Sequence, residues 1–243
     1  MMTTFKNAWV IVRSDFKGDR LKLLWALLFA VVFMGYMAAL AGMVLDDAID
    51  RGEGKLLSDV LLVTIISMLG ITFSRRNMKY LADDTYTRML AYMRSLPVPA
   101  EVILCKRKLN MLFAFILNST LYFSLIYTIG ANIRSELPVT AYLAFALTWI
   151  GCGLVIAGIF IFIEFSVSGK AYFLIMIIVM FLAIGIAGLV YLAGGNLLLA
   201  SVAVSKEWGL LSPLMWGSLL LGIVAVQLFS RWTVHRLKSR DLV

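Results

Sequence analysis

From Ala171 to Ser205 the chain contains no charged residue. A spanning helix needs about 20 apolar residues, so this run is too long for one crossing unless strongly tilted, and too short for two crossings with a turn. Gly194-Gly195-Asn196 interrupts it. The sequence therefore predicts one span to about Leu192, then a short helix, Leu197 to Val204, dipping back into the outer membrane region. Irregular backbone at that depth has to be buried in protein or face water, because lipid offers its polar groups no partner.

The remaining sequence has the same character. Hydrophobic residues make up 62% of the 243 and charged residues 15%. A soluble domain of this size could not hide so much apolar surface without large exposed patches. Further apolar runs predict spans at about 23–45, 56–74, 110–131, 139–163 and 210–230, which with 171–192 makes six. Before the first of them, Phe5, Trp9, Val12 and Phe16 fall on one helical stripe, while Lys6, Arg13, Lys17 and Arg20 supply charge. Such a helix lies in the membrane interface with its aromatic side in lipid and its basic groups on anionic head groups. Ala39-Leu40-Ala41 resembles a signal-peptidase site, but the apolar run before it exceeds the roughly 7–15 residues of a signal core, so the first span reads as an uncleaved anchor. The fold class that follows is an all-α integral membrane protein with a single transmembrane domain.

Basic residues orient it. Lys and Arg of the arm, of residues 75–109, of the connection after the fourth span (Lys170) and of the tail number eighteen, against Arg51, Lys55, Arg134 and Lys206 on the other side. By the positive-inside rule both termini and the 75–109 loop are cytoplasmic. The net charge of +8 then expresses membrane topology, and nucleic acid is not an expected partner.

Within the basic loop, Pro97 and Pro99 disfavour helix at the residues before them, so a helix over Asp83–Met93 should stop near Ser95. Pro99 can open a new short helix with Glu101 in its first turn, where the helix dipole favours an anion. Lys106, Arg107 and Lys108 then lead into the third span. This short helix is the expected contact surface for a cytosolic partner.

Chemistry of the chain's own is not expected. No Gly-x-x-x-x-Gly-Lys-Ser/Thr loop is present, the position upstream of Gly169-Lys170 being Glu164. The single histidine, His235, lies in the tail, and no acidic residue or histidine lies mid-span to relay ions. Ser67, Ser119 and Ser124 have no intramembrane base to activate them. Cys105 and Cys152 read as small buried hydrophobes rather than a disulfide or metal ligands. Ala38-x-x-x-Gly42, Gly153-x-x-x-Ala157 and Gly151 with Gly158 permit close helix approach, within the chain or between subunits.

Taken together, an interfacial helix, six spans, a Leu96-Pro97-Val98-Pro99-Ala100-Glu101-Val102-Ile103 stretch followed by Lys106, and a broken outer segment before the last span resemble the ABC type-2 permease family. These are the exporter-like membrane subunits of ABC transporters. The likeness covers the whole chain in topology and is sharp over Ser95 to Leu109; Pro99 and Ala100 depart from the polar or basic residues of many relatives. It implies that the arm is an elbow helix, that Gly194 to Val204 is an outer re-entrant segment, and that the loop is a coupling helix seated in a cytosolic ATPase. Leu96, Pro97, Val98, Pro99, Ala100, Glu101 and Ile103 would make that contact, with Glu164 and Lys170 as a second, smaller one. It further implies an identical or related permease as dimer partner and two ATPase subunits, with ATP and Mg held by those subunits and no cofactor or metal held by this chain. The second and fifth spans would line the route, offering Met68, Thr72, Met176 and Met180. A bacterial cell membrane is the expected location. The lack of buried charge points to an apolar or amphipathic cargo for export. The competing readings are an ion-coupled secondary transporter or channel, active without nucleotide, and a membrane scaffold or sensor that recruits a cytosolic partner.

Overall fold

Apolar segments in lipid can satisfy their own backbone hydrogen bonds in one local way, as α-helices. The computed structural model describes residues 2–18, 20–71, 92 and 98–239, and among them it is helical with no strand. In chain order the helices are α1 (Met2–Gly18), α2 (Arg20–Asp50), α3 (Lys55–Met68), α4 (Ala100–Ile129), α5 (Ala131–Glu136), α6 (Val139–Ser166), α7 (Gly169–Leu192), α8 (Leu197–Trp208) and, after a 3-10 turn at Gly209–Leu211, α9 (Pro213–Ser239).

Among the described residues five segments are long and apolar enough to cross a membrane: Leu23–Asp50, Ala100–Ile129, Val139–Ser166, Gly169–Leu192 and Pro213–Leu237. The predicted second span, 56–74, is represented by α3, which has 14 residues. At 1.5 Å per residue it reaches about 21 Å, short of the roughly 30 Å of a hydrocarbon core. The chain turns at Leu69–Gly70, and residues 72–74 lie outside the described residues.

Two expected boundaries differ. The short helix expected at Pro99 and the third span form one uninterrupted rod, α4, with Pro99 just before it and Glu101 in its first turn. The outer helix after Gly194-Gly195-Asn196 continues to Trp208 rather than ending at Val204. Gly194 has φ +79°, a left-handed turn that side chains rarely adopt, and it separates α7 from α8. Asn196 then caps α8, its side-chain oxygen accepting from Leu199 N–H at 2.8 Å.

Small residues bring the long helices together, and these contacts are internal. A Cβ added at Gly151 of α6 would lie 2.5 Å from the Ser218 carbonyl carbon of α9, and one at Gly222 of α9 would lie 2.7 Å from the Gly151 oxygen. Gly42 of α2 sits against Ile126 and Ile129 of α4, while Gly153 of α6 meets Phe115 and Ile66. By contrast α7 is largely bare, with only 6% of its apolar window buried and Phe181 70% exposed. Lipid or another subunit is the surface such a helix needs. Cys152 is exposed on α6 and Cys105 half-buried on α4, so neither is the buried hydrophobe expected.

At the end holding the α2–α3 turn, two carboxylates, one from α2 and one from α3, hold the starts of other helices. Asp46 of α2 accepts from Asn132 N–H at 2.8 Å and Ile133 N–H at 3.0 Å, fixing α5. Asp59 of α3, with no exposed surface, accepts from Leu197 N–H and Leu198 N–H, both at 2.8 Å, fixing α8. Asn196 closes the same junction by donating to the Lys55 carbonyl at 2.8 Å.

The glycine contacts yield a discriminating pair. Gly151→Ala should destabilise by about 1–3 kcal/mol because backbone must move to admit the methyl, whereas Gly188→Ala, with nothing within 4 Å, should be neutral or stabilising. Thermal unfolding of the purified variants in detergent checks the order.

Candidate functional site at the basic end of the bundle

The run Lys106-Arg107-Lys108 lies two turns into α4, where helical geometry sends successive side chains about 100° apart, so Lys106 and Arg107 meet different neighbours. Arg107 points to α6. Its Nε donates to Glu164 Oε1 at 3.0 Å and Oε2 at 2.9 Å, and its Nη2 lies 2.8 Å from Oε2. The Arg107 side chain is 19% exposed and that of Glu164 7%, so the pair is shielded from water. Forked contacts of this kind fix direction as well as distance, which a single lysine could not do.

Lys106 points to α1. Its Nζ lies 2.7 Å from Asp15 Oδ2, with Asp15 57% exposed. Packing, more than this pair, holds the arm: Ala8 and Val12 are fully buried, and the Trp9 and Phe16 rings lie 6.0 and 5.8 Å from the ring of Phe113 on α4. The aromatic stripe expected to face lipid is therefore divided. Val12 turns inward, Trp9 and Phe16 lean on α4, and Phe5 stays 54% exposed. The physical reason is the apolar flank of α4, which offers the arm a protein partner as well as lipid.

The residues singled out from sequence divide into three groups. Val98 is half-buried and packs against the core, Ala100 and Glu101 are half-buried, Ile103 is buried, and Pro99 is exposed. Glu164 is buried against Arg107, whereas Lys170, in the first turn of α7, is exposed. Leu96 and Pro97 lie outside the described residues. Met68 packs beside the core, and Met176 and Met180 are half-buried on α7, which packs along α3. Thr72 lies outside the described residues. Among the described residues no group of three or more His, Cys, Asp or Glu is placed to hold a metal ion.

Asn118, in the middle of α4, escaped the sequence reading. It is 1% exposed and donates to the carbonyls of Leu69 at 2.9 Å and Ile71 at 3.3 Å, where α3 ends. The available signal was an amide side chain inside an apolar span, where a polar group needs a partner.

No family model, curated protein or solved structure matches the chain.

The two ion pairs differ in what their loss should do. Removing one member of a shielded pair leaves a buried charge, which costs about 3–5 kcal/mol, whereas an exposed pair contributes about 1 kcal/mol or less. Glu164→Ala should thus lower the unfolding temperature far more than Asp15→Ala, as measured in detergent by differential scanning fluorimetry.

Proposed function

We propose that this chain is the membrane-spanning subunit of an ATP-driven transporter of the ABC type-2, exporter-like kind. In this reading it works as a dimer with an identical or related permease, in a cell membrane, with both termini cytoplasmic. Two cytosolic ATPase subunits bind ATP and Mg, and the cargo is an apolar or amphipathic molecule such as a hydrophobic peptide, drug or lipid-like compound.

The observation that supports it most is the construction of α4. Its first turn, next to exposed Pro99, is continuous with a membrane-crossing helix, and the Arg107–Glu164 pair braces that helix to α6. A force applied at residues 98–101 therefore travels along a rod rather than being absorbed in a flexible joint. The arm α1, tied to the same rod through Phe113 and Lys106, adds a third attachment. Closure of the ATPases on ATP would tilt α4 with α6 and switch the cavity from inward- to outward-facing. Among the described residues Pro99 and Lys170 are the exposed members of the expected contact set, and Glu164 serves as the brace behind it.

The test is copurification from mild detergent through a tag on the tail. A P-loop ATPase should come with the chain and hydrolyse ATP, and Leu96→Ala combined with Glu101→Ala should lose it while leaving the unfolding temperature unchanged. Emergence of the chain alone, with transport in vesicles under an ion gradient and no nucleotide, would contradict the proposal.

A further inference from the structure

One face of α4 carries Arg107, Met111, Phe115, Asn118 and Tyr122 at helical spacing, and it is buried against the place where α3 ends. With its start at the outer surface, as the positive-inside reading has it, α3 with its 14 residues reaches about 21 Å and ends inside the hydrocarbon depth of about 30 Å, where lipid can supply no hydrogen bond. The last turn is tight, with Leu69 N–H donating to Ile66 O and Ile71 N–H to Met68 O. The carbonyls of Leu69 and Ile71 turn to α4 instead.

Asn118 meets them with both bonds from one nitrogen, which settles the orientation of its amide. Its oxygen then faces away from both carbonyls. Among the described residues that oxygen, which is buried, has no hydrogen-bond partner, and one turn further along the same face the hydroxyl of Tyr122, with no exposed surface, has none either. An acceptor and a hydroxyl are thus left bare on adjacent turns of one helix. A void of about 10 Å³ adjoins the break, lined by Gly70, Ile71, Met111, Ala157 and the side of Arg107, among others. It has about the room of one water.

We infer that the end of α3 is an intramembrane hydration site. Water bound there donates to Asn118 Oδ1 and accepts from the Tyr122 hydroxyl, and a further molecule fills the void beside Gly70 and Ile71. The ligand class is a small neutral hydrogen-bonding molecule, since among the described residues no carboxylate lines the void and its room is about that of one water. Arg107 lines the void from the basic end of the bundle. Water there lets the freed carbonyls of α3 exchange partners without ever being left in lipid.

Radiolytic hydroxyl footprinting in 18O water tests this on the full chain in lipid nanodiscs, because radicals formed from a bound water mark the side chains that touch it. The structure supplies internal controls. Tyr142 is buried, but its hydroxyl donates to the Phe123 carbonyl at 2.6 Å, and Met34 is a fully buried core methionine. Tyr122 should take up label several-fold faster than Tyr142, and Met111 several-fold faster than Met34. Gly70→Ala, whose methyl would lie 3.5 Å from Met111 Cγ, should bring Met111 down to the level of Met34 and leave Tyr122 labelled. Equal labelling of Tyr122 and Tyr142 together with equal labelling of Met111 and Met34 in the unsubstituted chain would overturn the inference. That comparison needs no variant to fold.

Discussion

Lipid forms no hydrogen bonds, so every helix end or break that lies at membrane depth has to find its partners inside the protein. That constraint explains the placement of the polar side chains better than any local propensity does. The first amides of a helix have no acceptor within it. Asp59 supplies one for α8, Asp46 for α5, and Asn118 supplies donors to the carbonyls where α3 stops. In each case the side chain belongs to a different helix from the one it completes. Secondary structure and tertiary packing are therefore not separate stages here, since α3, α5 and α8 take their ends from helices already beside them.

The same economy governs charge at the opposite end. Arg107 and Glu164 would each be costly alone at their level of burial, and together they join α4 to α6 by a fork. Steric fit does the rest of the work. Gly151, Gly158 and Gly222 let α6 and α9 approach until backbone touches backbone, and Tyr142 reaches from α6 to the Phe123 carbonyl of α4. The helices with little inward contact, α7 above all, present their apolar surface outward. The result is a central group of braced helices with a more loosely attached periphery.

Much of the helical plan is legible in sequence because it depends on composition. Uncharged apolar runs mark α2, α4, α6, α7 and α9, and Gly194-Gly195-Asn196 marks the break before α8 because left-handed backbone and a capping amide are local requirements. The spacing of small residues at Gly151 and Gly158 announces close packing, although their partners on α9 are not contained in the spacing itself. What the sequence conceals is what depends on a distant partner. Pro99 limits the helix before it and does not interrupt the one after it, so α4 runs on through Lys106–Lys108, two of whose charges meet Asp15 and Glu164. Nothing in residues 55–68 themselves requires α3 to stop, and the Asn118 amide that receives its end comes from 49 residues further along. Likewise nothing local to Asp46, in the connection after the first span, or to Asp59, near the outer end of the second, names the helices they cap.

Amide hydrogen exchange resolved at the starts of the helices tests that central constraint most directly. The amides of Leu197, Leu198, Asn132 and Ile133, which have no acceptor in their own helices, should exchange as slowly as helix-interior amides, because Asp59 and Asp46 accept from them. The start of α6 gives the reference, since Pro138 precedes it with no side-chain cap. Exchange at those four amides as fast as at Val139 and Thr140 would contradict the account.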